Sequence, residues 1–338
     1  MPATSRPTSK DVAQEAGVSQ STVSLVMGGK WTGRVSPATA RSVHEAAERL
    51  GYRPNPAARN LRLGRTRTVL LMVPTLTAPF FGPVYTGAAR VATSHGFGVV
   101  VSTWPDDGTS GEGPFAAPHD TIDGILASSL EAAWFEGEPL AGFAGTPAVL
   151  LDSGPYGDVP TVDFGVADGM RAVARHLAAL GHRRFGHVAA GVDQYTFHAR
   201  AQALEEVVRD VPGGALLREE CEIDVGSAKE AASRLLARPD RPSVLVCDDD
   251  LVAAGAYKAA RARGLAIPDE LSVTGFDDVL LATALEPELT TVRLPAEELG
   301  ARGMTALLEL LGGTRPAPCS LPGRLIVRGS TAPPPHLP

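Results

Sequence analysis

The segment Thr8-Ser9-Lys10-Asp11-Val12-Ala13-Gln14-Glu15-Ala16-Gly17-Val18-Ser19-Gln20-Ser21-Thr22-Val23-Ser24-Leu25-Val26-Met27 reads as two short helices and the turn between them. Thr8 to Asp11 has the form of a capping box, Val12, Ala13 and Ala16 share one apolar face, and Gly17 supplies a stop. Ser19 is placed to cap a second helix that runs through Met27 to Gly28-Gly29. Two short helices joined at a glycine make a helix-turn-helix. A third helix begins at Ser36, with Pro37 in its first turn, and carries Val43, Ala46, Ala47 and Leu50 to Gly51. Together they suffice for a small all-α head.

In helix-turn-helix geometry the second helix enters the major groove, its early side chains meet base edges, and its flanks meet phosphates. Gln20, Ser21, Thr22, Ser24 and Leu25 are the candidate readers, with Thr8, Lys30 and Arg34 as flanking contacts. Gln pairs bidentately with adenine, and an apolar side chain can meet a thymine methyl. A purely structural cap is the competing reading of three small helices. Trp31 is open between covering the head's core and touching DNA.

Charge separates head from body. Residues 1–67 carry eleven Lys/Arg against four Asp/Glu, whereas the rest of the 338-residue chain carries twenty against thirty-four. That asymmetry suits a chain in which only the head approaches phosphate, since each neutralised phosphate releases a counterion. Cys221, Cys247 and Cys319 are far apart and form no C-x-x-C pair, so neither a disulfide framework nor a zinc site is expected. The first thirty residues lack an apolar core segment and no run of eighteen apolar residues occurs. We therefore expect a cytoplasmic protein with no membrane partner, no metal and no cofactor.

Beyond the head, residues 53–68 contain Pro and Arg and read as a linker with one short helix from Pro56 to Leu63. That helix is too short to be stable alone. Apolar runs then alternate with helical patterns: Val69–Val73, Gly98–Val101, Gly124–Ala127, Val149–Leu151, Phe185–Ala189, Val244–Cys247 and Leu271–Gly275. Such repetition builds parallel sheets flanked by helices. Residues 102–120 read as a long surface loop. Parallel sheets bind ligands beyond the carboxyl ends of their strands. Thr75, Thr77, Pro79, Phe80 and Phe81 follow the first run, Asp152 the fourth, Asp248-Asp249-Asp250 the sixth, and Asp277-Asp278 the seventh. Each is also a good turn or capping residue. Their recurrence at the same strand ends points to a pocket for a carbohydrate-like ligand, with carboxylates for hydroxyls and aromatic rings for an apolar ring face.

The strings Asp11-Val12-Ala13, Ala16-Gly17-Val18-Ser19, Thr22-Val23-Ser24, Val35-Ser36, Leu50-Gly51-Tyr52 and Pro54-Asn55 resemble the head of the lactose- and galactose-repressor family of bacterial regulators. In the body, Pro79-Phe80-Phe81, Asp123-Gly124-Ile125, His176 to Arg183, Val273 to Asp278, Leu289-Thr290-Thr291-Val292 and Val327 to Thr331 extend the resemblance over roughly residues 8–332. The resemblance implies a homodimer on pseudo-palindromic operator DNA, most often as a repressor, under control of a small effector. It implies a body of two periplasmic-binding-protein-like subdomains. It also implies a hinge helix whose Leu61 wedges into the minor groove, with Asn55, Ala58, Arg59 and Arg62 at the DNA. An ordinary basic tether is the alternative for that segment. By position, Phe81, Asp152, Phe164, Arg200, Asp248 and Asp277 match the family's effector contacts, to which Thr75 and Phe80 are added from the strand-end argument.

Two departures stand out. Leu25 replaces a usual Arg, so the operator should differ from the family norm, and Asp248-Asp249 replaces a usual Asn-Asp, so effector identity does not transfer. The expected divisions are a head over 1–54, a hinge over 55–67, a body over 68–332 and a disordered tail over 333–338. Within the body, one subdomain spans about 68–165 and 294–322 and the other about 166–293 and 323–332. The helix at 83–95 is the candidate dimer face. No nucleophile elbow, P-loop or dinucleotide fingerprint occurs, so catalysis is not expected. The alternatives are a regulator with a non-sugar or protein co-effector and a sugar-binding protein without DNA function.

Overall fold

The computed structural model describes residues 7–53, 66–103, 121–129 and 145–335. The chain divides into two compact units, Met1–Thr66 and Arg67–Pro338. In the first, α1 (Ser9–Ala16), α2 (Gln20–Met27) and α3 (Pro37–Arg49) follow one another closely. Thr8 closes the capping box with Asp11, Gly17 takes the left-handed conformation at φ 63°, and Ser19 and Ser36 cap α2 and α3. The core is Val12, Val23, Val26, Ala40, Val43 and Ala46, and Trp31 packs on it half-buried. That contact gives Trp31 a structural role.

The second unit holds two parallel sheets and a connecting ribbon. The first sheet contains β1 (Thr68–Val73), β2 (Gly98–Thr103), β3 (Gly124–Ser128), β4 (Ala148–Leu151), β5 (Thr161–Phe164) and the distant β11 (Cys319–Leu321), in the order β11-β5-β4-β3-β1-β2. The second contains β6 (Arg184–Ala190), β7 (Ala215–Cys221), β8 (Val244–Cys247) and β9 (Ser272–Thr274), in the order β7-β6-β8-β9. β10 (Thr291–Arg293), which follows β9, and β12 (Arg324–Ile326), which follows β11, pair antiparallel as a separate two-stranded ribbon. The chain thus leaves the first sheet after β5, returns after β10 and leaves again after β11. β2 extends to Thr103, so Ser102 and Thr103 belong to the sheet and not to a loop, while 104–120 lie outside the described residues.

Helices clothe these sheets. α4 (Phe81–Ser94) packs against α10 (Ala296–Leu311), α5 (Val166–Leu180) against α6 (Tyr195–Asp210), and α7 (Val225–Leu236) against α8 (Asp250–Ala262), with the short α9 (Leu280–Ala284) beside α8. Their apolar stripes and the near-continuous strands β1, β3, β4 and β8 form the buried core around Val69, Leu71, Leu126, Leu151, Met170, Leu204 and Leu307, with a second cluster under α7 and α8. The sheet order fixes where a ligand can sit. Connections reverse direction between β1 and β3 and between β6 and β8, and such switch points open crevices at strand carboxyl ends.

The end of the chain is ordered further than composition implies. Pro334 is half-buried beside Gly181, so the disordered tail does not begin at 333; 336–338 lie outside the described residues. His182, fully buried, holds this strand end through Ser243, Ser272 and the Ala332 carbonyl.

Candidate functional site

The first candidate site is the outer face of α2. Val23 and Val26 point into the head, which leaves Gln20, Ser21 and Ser24 exposed and Thr22 and Leu25 half-buried. The exposed three stand on one helical face, as a groove-reading helix requires. Gln20 is already tied to α1, its amide donating to Ser9 Oγ at 2.8 Å. Ser19 Oγ lies 2.7 Å from Ser21 Oγ and 2.9 Å from Thr22 Oγ1 and accepts from the Thr22 N–H. Thr8, Lys30 and Arg34 are exposed. Asn55, Ala58, Arg59, Leu61 and Arg62 lie outside the described residues.

The second candidate site is a cleft of about 160 Å³ in the body, lined from both sheets. Thr75, Thr77, Phe80 and Phe81 follow β1, Ser129 follows β3, and Asp152 follows β4. From the other sheet come Gln194, Thr196 and Phe197 after β6, Ile223 after β7, Asp249 and Leu251 after β8, and Asp277 after β9. All of them lie beyond strand carboxyl ends. Ser129, Asp152 and Asp277 hold positive φ of 53°, 49° and 105°. Such backbone is uncommon outside glycine and gathers at ligand sites.

Of the effector residues expected from sequence, Thr75, Phe80, Phe81, Asp152 and Asp277 line this cleft, whereas Phe164, Arg200 and Asp248 stand behind it. Phe164 supports Phe80 edge-on, with centroids 6.0 Å apart, and Phe80 in turn meets Phe81 at 5.3 Å. Arg200 is buried, donates to the Asp248 carbonyl and to Thr196 Oγ1 at 2.9 Å, and lies 4.0 Å above the Phe276 ring. Its Nε has no partner. Asp248 faces back into the sheet: it accepts from the Ala190 N–H at 3.0 Å and lies 3.1 Å from His187 Nε2. Burial pushes its carboxyl up, but the adjacent imidazole and the other contacts hold it below the usual range. Among the three consecutive aspartates, the wall of the cleft is therefore Asp249.

Asp249 and Asp277 both line the wall of the cleft. Burial raises both above the usual carboxylate range, Asp277 strongly, with Asp249's charge beside it adding to the shift. Burial likewise pushes Asp152 up to about 7, against the attraction of Arg200. Asp278, next in sequence, turns away and binds Arg293 Nε and an Arg328 Nη nitrogen, each at 2.6 Å, which ties the β9 loop to β10 and to the segment that follows β12. Gln194, Thr196, Phe197, Ile223 and Ser129 escaped the sequence reading. Applying the strand-end rule to β3, β6 and β7, and not only to strands followed by aspartate, would have found them.

Two family models match this chain: the one for bacterial regulatory proteins of the lacI family over residues 8–55, and a periplasmic binding protein-like domain over 174–331. The HTH-type transcriptional repressor CytR of Escherichia coli (strain K12) is 30% identical, covering 96% of each chain. The chain belongs to the lacI family of bacterial regulatory proteins. Among solved structures, a lac repressor dimer bound to operator and an anti-inducer superposes with TM-score 0.85 at 25% identity, covering 96% of this chain and 99% of that one. A transcriptional regulator CelR–cellobiose complex superposes with TM-score 0.69 at 29% identity, covering 96% and 100%. As a lacI-family member, the protein is a DNA-binding transcriptional regulator with an effector-binding body. Among the described residues, no helix is long and apolar enough to cross a membrane.

Proposed function

We propose that this lacI-family regulator is a cytoplasmic repressor that binds operator DNA as a homodimer and alters its grip when a small sugar or sugar derivative fills the cleft. The carrying observation is the cleft itself: carboxyls from both sheets face one another across a cavity of about 160 Å³ beside Phe80 and Phe81. That is small against the roughly 300–1,000 Å³ of drug-sized ligand sites, and it suits a single ring. The CelR structure, similar along its whole length, is a complex with cellobiose. Because the lining comes from both sheets, a ligand favours one spacing of the two halves, and any state-dependent affinity shifts DNA binding by the same free energy. The DNA contacts belong to this reading: Gln20, Ser21, Thr22, Ser24 and Leu25 at bases, with Thr8, Lys30, Arg34 and the 55–62 set around them. So does a dimer face on α4, whose Tyr85 and Arg90 are exposed opposite its buried Val84 and Ala88.

We read the site as regulatory and not catalytic because the relatives this chain matches are transcriptional repressors. The test is fluorescence anisotropy of labelled DNA from upstream of the protein's own gene, at fixed salt, with a sugar panel. The expected result is tight binding that resists competitor DNA and that one sugar shifts at least fivefold. Specific binding indifferent to every sugar would sink the effector class, and turnover of any sugar by purified protein would sink the non-catalytic reading.

A further inference from the structure

We propose that Tyr195 is the latch of the effector cleft: its ring, resting on Gly154, holds the two halves of the body at closed spacing by a contact the chain makes with itself. This deepens the regulatory reading above and rests on it. Gly154 stands in the β4–β5 loop of the half built on the first sheet, two residues after Asp152. Tyr195 is the first residue of α6 in the other half, between Gln194 and Thr196. Asp152, Gln194 and Thr196 all line the cleft, so the contact crosses it at its edge. The approach is close. A Cβ on Gly154 would lie 2.5 Å from Tyr195 Cγ and 2.6 and 2.8 Å from the two Cδ carbons, and Gly154 holds φ 72°. Both facts demand a glycine there.

The two partners are held unequally. Gly154 belongs to a fixed loop: it is buried, its N–H and that of Ser153 donate to Asp163 Oδ1 at 3.0 and 3.1 Å, and Ser153 Oγ donates to the Leu151 carbonyl at 3.0 Å. Tyr195 is 45% exposed and meets Gly154 through ring carbons. An apolar ring laid on a glycine can lift away without leaving a buried polar group unpaired, so the contact is able to release and re-form. Two lobes joined by three chain crossings, after β5, β10 and β11, move by hinge closure. The start of α6 bears Gln194, Thr196 and Phe197, all in the cleft wall, and the latch fixes where that wall stands against Asp152. A ligand therefore acts on an equilibrium that Tyr195 already biases, and it shifts that equilibrium only by its differential affinity for the latched and unlatched states.

Hydrogen exchange of the full-length protein, followed by mass spectrometry, tests this on wild type, Tyr195→Ala and Tyr195→Phe without added ligand. Unlatching exposes both walls, so Tyr195→Ala should speed exchange by about threefold or more over 75–81 and 249–252, cleft-lining stretches remote in the chain from Gly154 and Tyr195. Tyr195→Phe keeps the ring and should match wild type. A circular-dichroism melt confirms that each variant is folded. Acceleration confined to 150–156 and 192–198, or none at all, overturns the latch, and so does a Tyr195→Phe protein that behaves like Tyr195→Ala. Operator anisotropy on the same proteins separates this from the reading it rests on: with a coupling of ordinary size, Tyr195→Ala should change operator affinity by about fivefold or more. Walls that open while operator affinity stays unchanged uphold the latch and overturn the link between cleft and DNA. Walls that stay closed overturn the latch and leave that link standing.

Discussion

Asp152 shows how a single buried carboxyl couples this cleft to pH. It is 4% exposed and burial raises it to about 7 from the ordinary 3.8, although Arg200 pulls the other way. A raised carboxyl contributes stability that is fully present below 3.8, where folded and unfolded chains both hold the proton. That stability is lost as pH climbs through about 7, because the unfolded chain ionises first. The gap corresponds to at most about 4 kcal/mol. Asp250 shifts to about 7 for the same reason, so the wild-type melting temperature should fall between pH 5 and pH 8. Asp152→Asn should flatten part of that slope and raise Tm at pH 8 by several degrees, at about 2–4 °C per kcal/mol. Differential scanning calorimetry across this range decides it, and an unchanged slope would refute the buried-carboxyl account. Composition could not have distinguished the aspartates at this scale. Asp248, Asp249 and Asp250 are one string in the sequence, and only the pairing of β8 with β6 turns Asp248 toward the Ala190 N–H and leaves Asp249 to the cleft.

At the scale of elements, strands were legible in proportion to their burial. β1, β3, β4 and β8 are buried on both faces and read as unbroken apolar runs. β7, Ala-Leu-Leu-Arg-Glu-Glu-Cys, is an edge strand with charges turned to solvent, and β10, β11 and β12 are three residues each, too short to carry a pattern. The helical head was legible almost residue by residue because its caps are local chemistry, Thr8 with Asp11 and Ser19 with Thr22. What no local pattern conveys is how closely α4 and α10 meet. A Cβ on Gly87 would stand 1.8 Å from the Glu297 carbonyl oxygen, and one on Gly300 would stand 1.9 Å from that of Val84. Gly→Ala inside a helix ordinarily stabilises by up to about 1 kcal/mol. Here the added methyl must push two backbones apart, so Gly300→Ala should instead destabilise by about 1–3 kcal/mol or more. Gly82→Ala, in the partner helix α4 but with open space around it, serves as the control and should be neutral or better. Urea denaturation separates the two, and a Gly300→Ala protein as stable as wild type would contradict the contact.

The whole molecule is acidic, yet it belongs to a family that binds DNA, and the division of charge between its units reconciles the two. Residues 1–67 hold eleven Lys/Arg against four Asp/Glu, and the body's excess of carboxylates repels the rest of the chain from the duplex. Binding should therefore be steeply salt-dependent, each phosphate contact contributing about −0.9 to the slope of log K against log salt. Side chains at the head then sort by what they do to that slope. Lys30 and Arg34 are exposed outside α2, in the turn that follows it. Lys30→Ala and Arg34→Ala should each weaken specific and random DNA alike and flatten the slope by about 0.9. Gln20→Ala, Ser24→Ala and Leu25→Ala leave the charge untouched, so their slopes should match wild type while discrimination between operator variants falls by about 1–3 kcal/mol per lost base contact. Anisotropy titrations at several salt concentrations, on an operator and on scrambled DNA, measure both quantities in one experiment. A Lys30 or Arg34 variant that changes sequence preference without altering the slope would move that residue from the backbone to the bases. The turn after α2 would then be a second reading element, in a head whose reading helix carries no charge of its own.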